Sequence, residues 1–313
     1  MDRRSFIKRG AATGAAAFVA TTIPGKEVLA GIIEKEADIS VINGTNVYAS
    51  TEQAVKVLGG IENFVQKGAK VGFLINSGFD QKGAYVHPDI SLAALQMCLD
   101  AGASELLSLQ YIDPAYWERS EHFSDKAGLL EKLTHIESNN FPADFNEADW
   151  MKIPKIEGSK SLEEVEVIKA MKEVDVLINI FIAKHHASTL YTGALKNSMG
   201  FCTRKTNVFY HLGSGERNDP DFLAQSIADI NMIRQPDLII GDATEFITTN
   251  GPSGPGDMSK LDKVFAGTNL VAMDSLGVSY NDIEAEDVPT LIKAQEMGLG
   301  SYDLSELNIV EIS

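Results

Sequence analysis

The feature that most constrains the fold is an alternation along the chain between short apolar runs and segments with helical spacing. The strongest apolar run covers residues 174–182, where seven of the nine residues are apolar and only Asp175 and Asn179 are polar. A run of this kind predicts a strand that is buried on both faces of a parallel sheet. Because strand and helix patterns alternate, we predict an α/β layered fold with a mostly parallel central sheet flanked by helices.

Shorter patterns predict the other elements of this fold. Further strands are expected at residues 39–42, 70–75, 105–110, 238–240, 263–266 and 307–312. Residues 162–168 alternate in the manner of a half-exposed strand, although they would also suit a helix. Helices are expected at residues 51–67, 89–100, 219–234 and 270–279, with Asp219 and Asn269 capping the last two.

The domain organisation follows from the length and from one irregular region. At 313 residues the chain can bury a full core without disulfide or metal staples. Residues 111–160 contain Pro114, Pro142 and Pro154 and interrupt the alternation of strands and helices. We predict a single α/β domain over residues 31–313, with an irregular insertion around 111–160 that covers the core.

The first thirty residues have the pattern of an export signal. Arg3 and Arg4 are followed by Ser-Phe-Ile-Lys at 5–8, an apolar stretch at 11–23 and Val-Leu-Ala at 28–30. The paired arginines resemble the bacterial twin-arginine signal, which implies folding before export and passage through the twin-arginine export machinery. The alternative is an amphipathic helix of the folded domain, which the small alanine side chains disfavour. We expect a signal peptide over 1–30, a periplasmic or otherwise exported protein and no membrane span in the mature chain.

Charge and cysteine content narrow the classes of partner. The formal net charge is −17, and residues 1–30 carry five basic and two acidic residues, so the remainder is more acidic still. This charge repels phosphate backbones and anionic lipid surfaces, and we expect no nucleic-acid binding. The two cysteines, Cys98 and Cys202, are too few for a Cys-ligated iron–sulfur cluster in this chain. A disulfide between them and two buried free thiols are both open.

Polar residues that follow the predicted strands are the candidates for a functional site, because ligands of open α/β sheets collect at the carboxyl ends of strands. We expect Lys184, Lys196, Asp242 and at least one of His185 and His186 to line a common cleft. The proposed roles form three groups. The catalytic candidates are Lys184, His185 and His186; the substrate-binding candidates are Asn76, Lys196, Asn197, Gly251 and Gly256; and the metal-ligand candidates are Asp242 and His186.

Each of these assignments has a simpler alternative. His185 and His186 are adjacent, so on a continuing strand they would point to opposite faces. Lys184 and Lys196 could be solvated surface charges. Asp242 could cap a turn, and the loop containing Gly251 and Gly256 could be a flexible surface turn. That loop lacks the lysine and hydroxyl of a phosphate-binding P-loop, and no serine lies in a nucleophile-elbow pattern.

The strand-end segments resemble an uncharacterised family, the domain of unknown function 362. The resemblance rests on residues 174–179, 184–186 and 192–200, on Asn76 and 87–88 upstream, and on His211, 228–231, 236–243, 251–252, Gly256 and 272–274 downstream. The resemblance implies the α/β fold and the location of the site, but it does not imply which reaction, if any, the protein catalyses. Many relatives carry a ferredoxin-like module with clustered cysteines, which this sequence lacks, and they usually have Lys-Pro-Asn where this chain has Leu74-Ile75-Asn76.

Three hypotheses for function remain open at this point. The first is an exported enzyme that acts on a small anionic substrate with the help of a divalent metal. The second is a non-catalytic periplasmic binding or accessory protein that uses the same cleft. The third, a purely structural exported domain, leaves the clustered polar residues without a purpose.

Overall fold

The computed structural model describes residues 37–135 and 147–313, and the predicted signal peptide at 1–30 lies outside them. The strands in chain order are β1 (Ile39–Asn43), β2 (Lys70–Ile75), β3 (Glu105–Ser108), β4 (Leu133–His135), β5 (Trp150–Ile153), β6 (Val165–Ile168), β7 (Val176–Ile182), β8 (Lys184–His186), β9 (Leu190–Thr192), β10 (Leu238–Ile247), β11 (Met258–Gly267) and β12 (Ile309–Ile312). The helices are α1 (Val47–Val57), α2 (Pro88–Asp100), α3 (Pro114–Trp117), α4 (Ala127–Leu130), α5 (Ala170–Glu173), α6 (Ala194–Asn197), α7 (Arg204–Leu212), α8 (Pro220–Asn231), α9 (Leu270–Ser279) and α10 (Pro289–Glu296).

Eight of these strands form one sheet in the order β12-β1-β11-β10-β7-β2-β3-β4. Strand β11 runs antiparallel to both of its neighbours, and every other pairing in the sheet is parallel. Strand β7 lies between β10 and β2, and all seven of its residues are buried. The predicted α/β fold with a mostly parallel sheet and a buried central strand is therefore confirmed.

Local side chains set where several helices begin. The Oδ1 atom of Asp219 accepts from the backbone N–H groups of Asp221 and Phe222, at 3.0 and 3.2 Å. The Oδ1 atom of Asn269 accepts from the N–H of Ala272 at 2.9 Å. Each cap satisfies amide donors that the first helical turn leaves unpaired, and each is worth about 1 kcal/mol. Both caps agree with the sequence prediction.

Several elements differ from the sequence prediction. The helix expected at residues 51–67 is α1 at Val47–Val57, and the strand expected at 263–266 is β11 at Met258–Gly267. Strand β10 continues to Ile247, well beyond the predicted end at residue 240, because β11 pairs with it as a hairpin after the β7 pairing ends. Strand β6 is buried along its whole length and is not half-exposed. Its Glu166 is tolerated there because the carboxylate accepts from the Thr203 hydroxyl and from the Lys205 ammonium, both at 3.0 Å.

The irregular region around 111–160 contains short elements that join the rest of the fold. Within it, β4 pairs in parallel with β3 and forms one edge of the main sheet. Strand β5 pairs with β6 in a separate antiparallel ribbon. Residues 136–146 lie outside the described part of the chain.

Cys98 and Cys202 are both buried and free, so the disulfide alternative is wrong and the free-thiol alternative is correct. The Cys202 sulfur lies 3.4 Å from the Tyr210 hydroxyl, and burial raises the pKa of this thiol to about 12.

Among the described residues, no helix has the length and apolar content that crossing a membrane would take.

Asp229 on α8 anchors the loop that leads into β6. Its fully buried carboxylate accepts from the backbone N–H groups of Lys160, Ser161 and Leu162 at 2.6 to 3.1 Å. It also accepts from the Gln225 side chain at 2.9 Å. One carboxylate thus satisfies three successive amides of a loop that has little regular structure.

We predict that Asp229→Asn lowers the free energy of unfolding by about 3 kcal/mol, because the amide loses the charge and turns a donor toward backbone donors. The matched control is Asp221→Asn on the same helix, whose exposed carboxylate pairs only with Lys293 at 2.8 Å. That change should cost less than about 1 kcal/mol. Urea denaturation of both variants measures the difference, and equal costs would contradict the anchoring role of Asp229.

Candidate functional site

A cavity of about 870 Å³ lies at the carboxyl ends of β2, β3 and β7, and we call it the anion cavity after the cationic side chains of its wall. This is the edge at which parallel α/β sheets present ligand-binding residues. Helices α6 and α7 complete its walls. Its lining residues are Asn76, Ser77, Gly78, Phe79, Gln110, His186, Ala187, Ser188, Thr192, Lys196, Asn197, Met199, Gly200, Arg204, Asn207, Val208, His211, Leu212, Arg217, Asn218 and Pro252.

The lining of the anion cavity has an unbalanced charge. It includes the cationic side chains of Lys196, Arg204 and Arg217 and the imidazoles of His186 and His211. None of its lining residues within the described chain is an aspartate or a glutamate. In a chain of formal net charge −17, such a wall creates a local positive potential on an otherwise acidic protein.

Lys196 is the most enclosed of the three cations. Burial lowers the pKa of its amino group to about 8. The described residues offer this amino group neither a hydrogen bond nor a salt bridge. Its charge in turn lowers the pKa values of His186 and His211, after the larger effect of burial on each. Lys196 therefore has an unsatisfied charge beside an open volume.

The carboxylate of Asp274 on α9 holds Lys196 in place through helix α6. Asp274 accepts from the backbone N–H groups of Ala194 and Leu195 at 2.6 and 3.0 Å, in the first turn of α6. A Cβ atom at position 193 would collide with this carboxylate, so only Gly193 permits the approach. Burial raises the pKa of Asp274 to about 7, although its two amide donors oppose the rise.

Asn197 joins the same helix to the sheet. Its side-chain amide donates to Asn179 Oδ1 at 2.7 Å and lies 3.2 Å from the carbonyl oxygens of Leu74 and Ile180. Asn179 in turn donates to the carbonyl of Ala194 at 2.9 Å. Asn197 lines the cavity, as the sequence predicts, but its donors serve to position the wall.

His186 presents a neutral imidazole to the cavity. Its Nδ1 atom lies 3.1 and 3.3 Å from the backbone N–H groups of Ser188 and Thr189, which places the ring proton on Nε2. Burial, with the charges of Lys196 and Lys184, lowers the pKa of His186 to about 2. Near neutral pH the ring is therefore a hydrogen-bond donor and not a proton acceptor.

His185 and Lys184 do not line the cavity. The Nδ1 atom of His185 accepts from the Gly251 N–H at 3.0 Å, so the two neighbouring histidines of β8 face different surroundings. The fully buried Lys184 amino group donates to the carbonyls of Ala84 and Pro252 and lies 4.1 Å from the ring centre of Phe79. Burial lowers the pKa of Lys184 to about 6. These contacts connect the loops that contain Ala84 and Pro252 to β8.

The two glycines proposed for substrate binding are not among the lining residues of the cavity. A Cβ atom at Gly251 would collide with the carbonyl of His185, and one at Gly256 would collide with the carbonyl of Thr249. Both positions need glycine for close backbone packing. From this loop it is Pro252 that reaches the cavity, whereas Asn76 reaches it from the end of β2, as predicted.

Asp242 lies within β10 and its carboxylate is already hydrogen-bonded. It accepts from the His87 N–H at 2.6 Å and from the N–H and hydroxyl of Thr244 at 2.8 and 2.7 Å. Burial raises its pKa. Within residues 37–135 and 147–313, no group of three His, Cys, Asp or Glu residues has the arrangement of a metal site. Asp242 and His186 therefore belong to no such group.

Helix α7 and the loop after it supply cavity residues that sequence reasoning did not assign. Arg204, Asn207, Val208 and His211 recur at helical spacing, which places them on one side of α7. The His211 Nδ1 atom lies 2.9 Å from the Asn218 side-chain oxygen. Apart from His211, which the family resemblance includes, the signal in the sequence is this mixed polar and apolar stripe, which is also typical of an ordinary surface helix.

Comparisons with known proteins find a curated protein and a solved structure that are similar to this chain. The thylakoid-associated protein sll1697 of Synechocystis sp. (strain ATCC 27184 / PCC 6803 / Kazusa) is 23% identical over 265 residues, which cover 81% of this chain and 76% of that protein. The structure of the lactate racemase apoprotein from Thermoanaerobacterium thermosaccharolyticum is similar with a TM-score of 0.43 and 14% identity, over 74% of this chain and 54% of that chain. The similarity thus spans about half the length of the racemase chain.

The family match agrees with the resemblance that the strand-end segments carry. Residues 70–279, which extend from β2 to the end of α9, match the family described as "Domain of unknown function (DUF362)". These residues hold every lining residue of the anion cavity. The chain belongs to the DUF362 family.

Proposed function

We propose that the protein binds a small anion in the anion cavity. The observation that carries the proposal is the set of three cations, Lys196, Arg204 and Arg217, on a wall without a carboxylate. A desolvated ammonium without a partner gains most from an incoming anion, because the Coulomb attraction is stronger at low dielectric. The two arginines can bind carboxylate or phosphoryl oxygens in a bidentate manner.

Neutral donors around the cations would orient the anion. The imidazole of His186 carries its proton on Nε2, and Ser77 and Ser188 add hydroxyl groups to the lining. Because the protein exterior is acidic, the attraction acts at short range and selects ligands that have entered the cavity.

The contacts of the catalytic candidates favour binding over metal-assisted catalysis. Lys184 donates to two carbonyls, and His186 is held neutral with its Nδ1 atom satisfied. Asp242 already accepts three hydrogen bonds. These groups build the cavity, whereas the cations of α6, α7 and the following loop face the ligand. The binding or accessory function is therefore the one that the geometry supports best.

A first prediction concerns Lys196, tested with sulfate as the probe because its charge is constant across neutral and basic pH. We expect Lys196→Ala to weaken sulfate binding roughly tenfold to a hundredfold, since a charge-assisted hydrogen bond contributes about 1.5–3 kcal/mol. Isothermal titration calorimetry measures the affinity. The control is Lys172→Ala, which removes an exposed charge on α5, ahead of the opposite end of β7. Equal affinities in the two variants would reject the anion site.

A second prediction concerns pH. Because the pKa of Lys196 is lowered to about 8, the ammonium is charged below that pH and loses its proton above it. Sulfate affinity should therefore fall as the pH rises through about 8 to 9, well below the range of an ordinary lysine. In Lys196→Arg the guanidinium keeps its charge, so the affinity should stay level over the same range. A pH-independent affinity in the unmodified protein would contradict the role of Lys196.

The proposal includes a location outside the cytoplasm, which the twin-arginine pattern at Arg3 and Arg4 supports. We expect Arg3→Lys combined with Arg4→Lys to abolish the exported form, because the export receptor recognises the paired guanidinium groups. Arg9→Lys, outside the pair, should leave export unchanged. Cell fractionation followed by immunoblotting measures the distribution. Normal export of the double variant would overturn the location.

A further inference from the structure

Helix α7 continues one wall of the anion cavity onto an apolar surface. Val208 and Leu212 lie one helical turn apart and line the cavity, yet they are 44% and 51% exposed. Phe209 beside them is 43% exposed. Exposed large apolar side chains that adjoin one another, next to a charged cavity, are a feature of ligand-binding surfaces.

The same two side chains also line a second groove on the other side of α7. Its volume is about 720 Å³, and its lining residues are Ser161, Glu163, Glu164, Glu166, Lys205, Thr206, Val208, Phe209, Leu212, Gly213 and Phe222. The rings of Phe209 and Phe222 pack edge to face, with centroids 5.6 Å apart. Val208 and Leu212 thus form an apolar bridge between the two volumes.

The charges of the two volumes are opposite. The anion cavity has three cations and, among its described lining residues, no carboxylate, whereas the second groove has Glu163, Glu164 and Glu166. The single cation of that groove, Lys205, is paired with Glu166 at 3.0 Å. An anionic group is attracted to the first volume and repelled from the second, so a ligand that occupies both must carry its negative charge at one end only.

We infer that the ligand class is an amphipathic anion, with its charged head at Lys196 and its apolar chain lying over Val208 and Leu212 toward the second groove. This inference rests on the proposed anion site and adds the chemistry of the rest of the ligand. Burial of each methylene against this surface should strengthen binding about fourfold. The apolar chain, together with the charged head, would then set the affinity.

The test is calorimetric binding of a series of straight-chain carboxylates from butanoate to dodecanoate, each below its micelle concentration, with sulfate as the reference anion. The unmodified protein should show affinity that rises about fourfold per methylene and levels off once the chain exceeds the apolar bridge. Leu212→Ser should lower the affinity for dodecanoate at least ten times more than it lowers the affinity for sulfate. Val208→Ser should act in the same direction, and both residues are exposed enough for the variants to fold.

Matched controls separate this inference from the proposed function. Met232→Ser removes an exposed apolar side chain that lines neither volume and should change nothing. If sulfate binds but the affinity for the carboxylates does not depend on their chain length, the amphipathic ligand is overturned and the anion site stands. If the unmodified protein does not bind sulfate, both the anion site and the amphipathic ligand are overturned. Dodecylamine that binds as tightly as dodecanoate, or a dimer that Leu212→Ser dissociates, would also overturn the inference.

Discussion

The carboxylate of Asp274 is the constraint on which the site depends. It binds two backbone amides of α6, across 80 and 79 residues of sequence, and so fixes the helix that presents Lys196. Gly193 provides the room for this contact, and the hydrogen bonds between Asn179 and Asn197 tie the other end of α6 to β7. Buried polar groups whose hydrogen bonds are satisfied inside the protein therefore position the Lys196 ammonium, which has no hydrogen-bond partner among the described residues. The amides and carboxylates packed behind the cavity wall are thus structural, whereas the cations of the wall are available to a ligand.

Much of the fold could be predicted from the sequence because its signals are local. The apolar run in β7 is buried on both faces, and the caps at Asp219 and Asn269 lie next to the helices that they begin. The carboxyl ends of parallel strands also indicated the edge of the sheet at which the anion cavity lies. Asn76, His186, Lys196 and Asn197 all reach the cavity there.

The remaining features could not be predicted because they depend on partners that are distant in sequence. The length of β10 is set by pairing with β11, which extends the strand beyond Asp242 to Ile247. The direction of the Lys184 side chain is set by carbonyls of two separate loops. Arg204 and Arg217 join the cavity only through the packing of α7 and the loop that follows it. Sequence spacing identifies charged residues, but it does not tell whether their charge is already neutralised by a contact.

The central claim is that Lys196 faces a bound anion. The most direct measurement is anomalous diffraction from crystals soaked in selenate, which has the charge and shape of sulfate and a strong selenium signal. The account predicts a selenium peak inside the anion cavity, with a selenate oxygen about 3 Å from Lys196 Nζ, and no such peak in crystals of Lys196→Ala. A cavity without selenium in the unmodified protein, at a concentration that labels other surface sites, would contradict it.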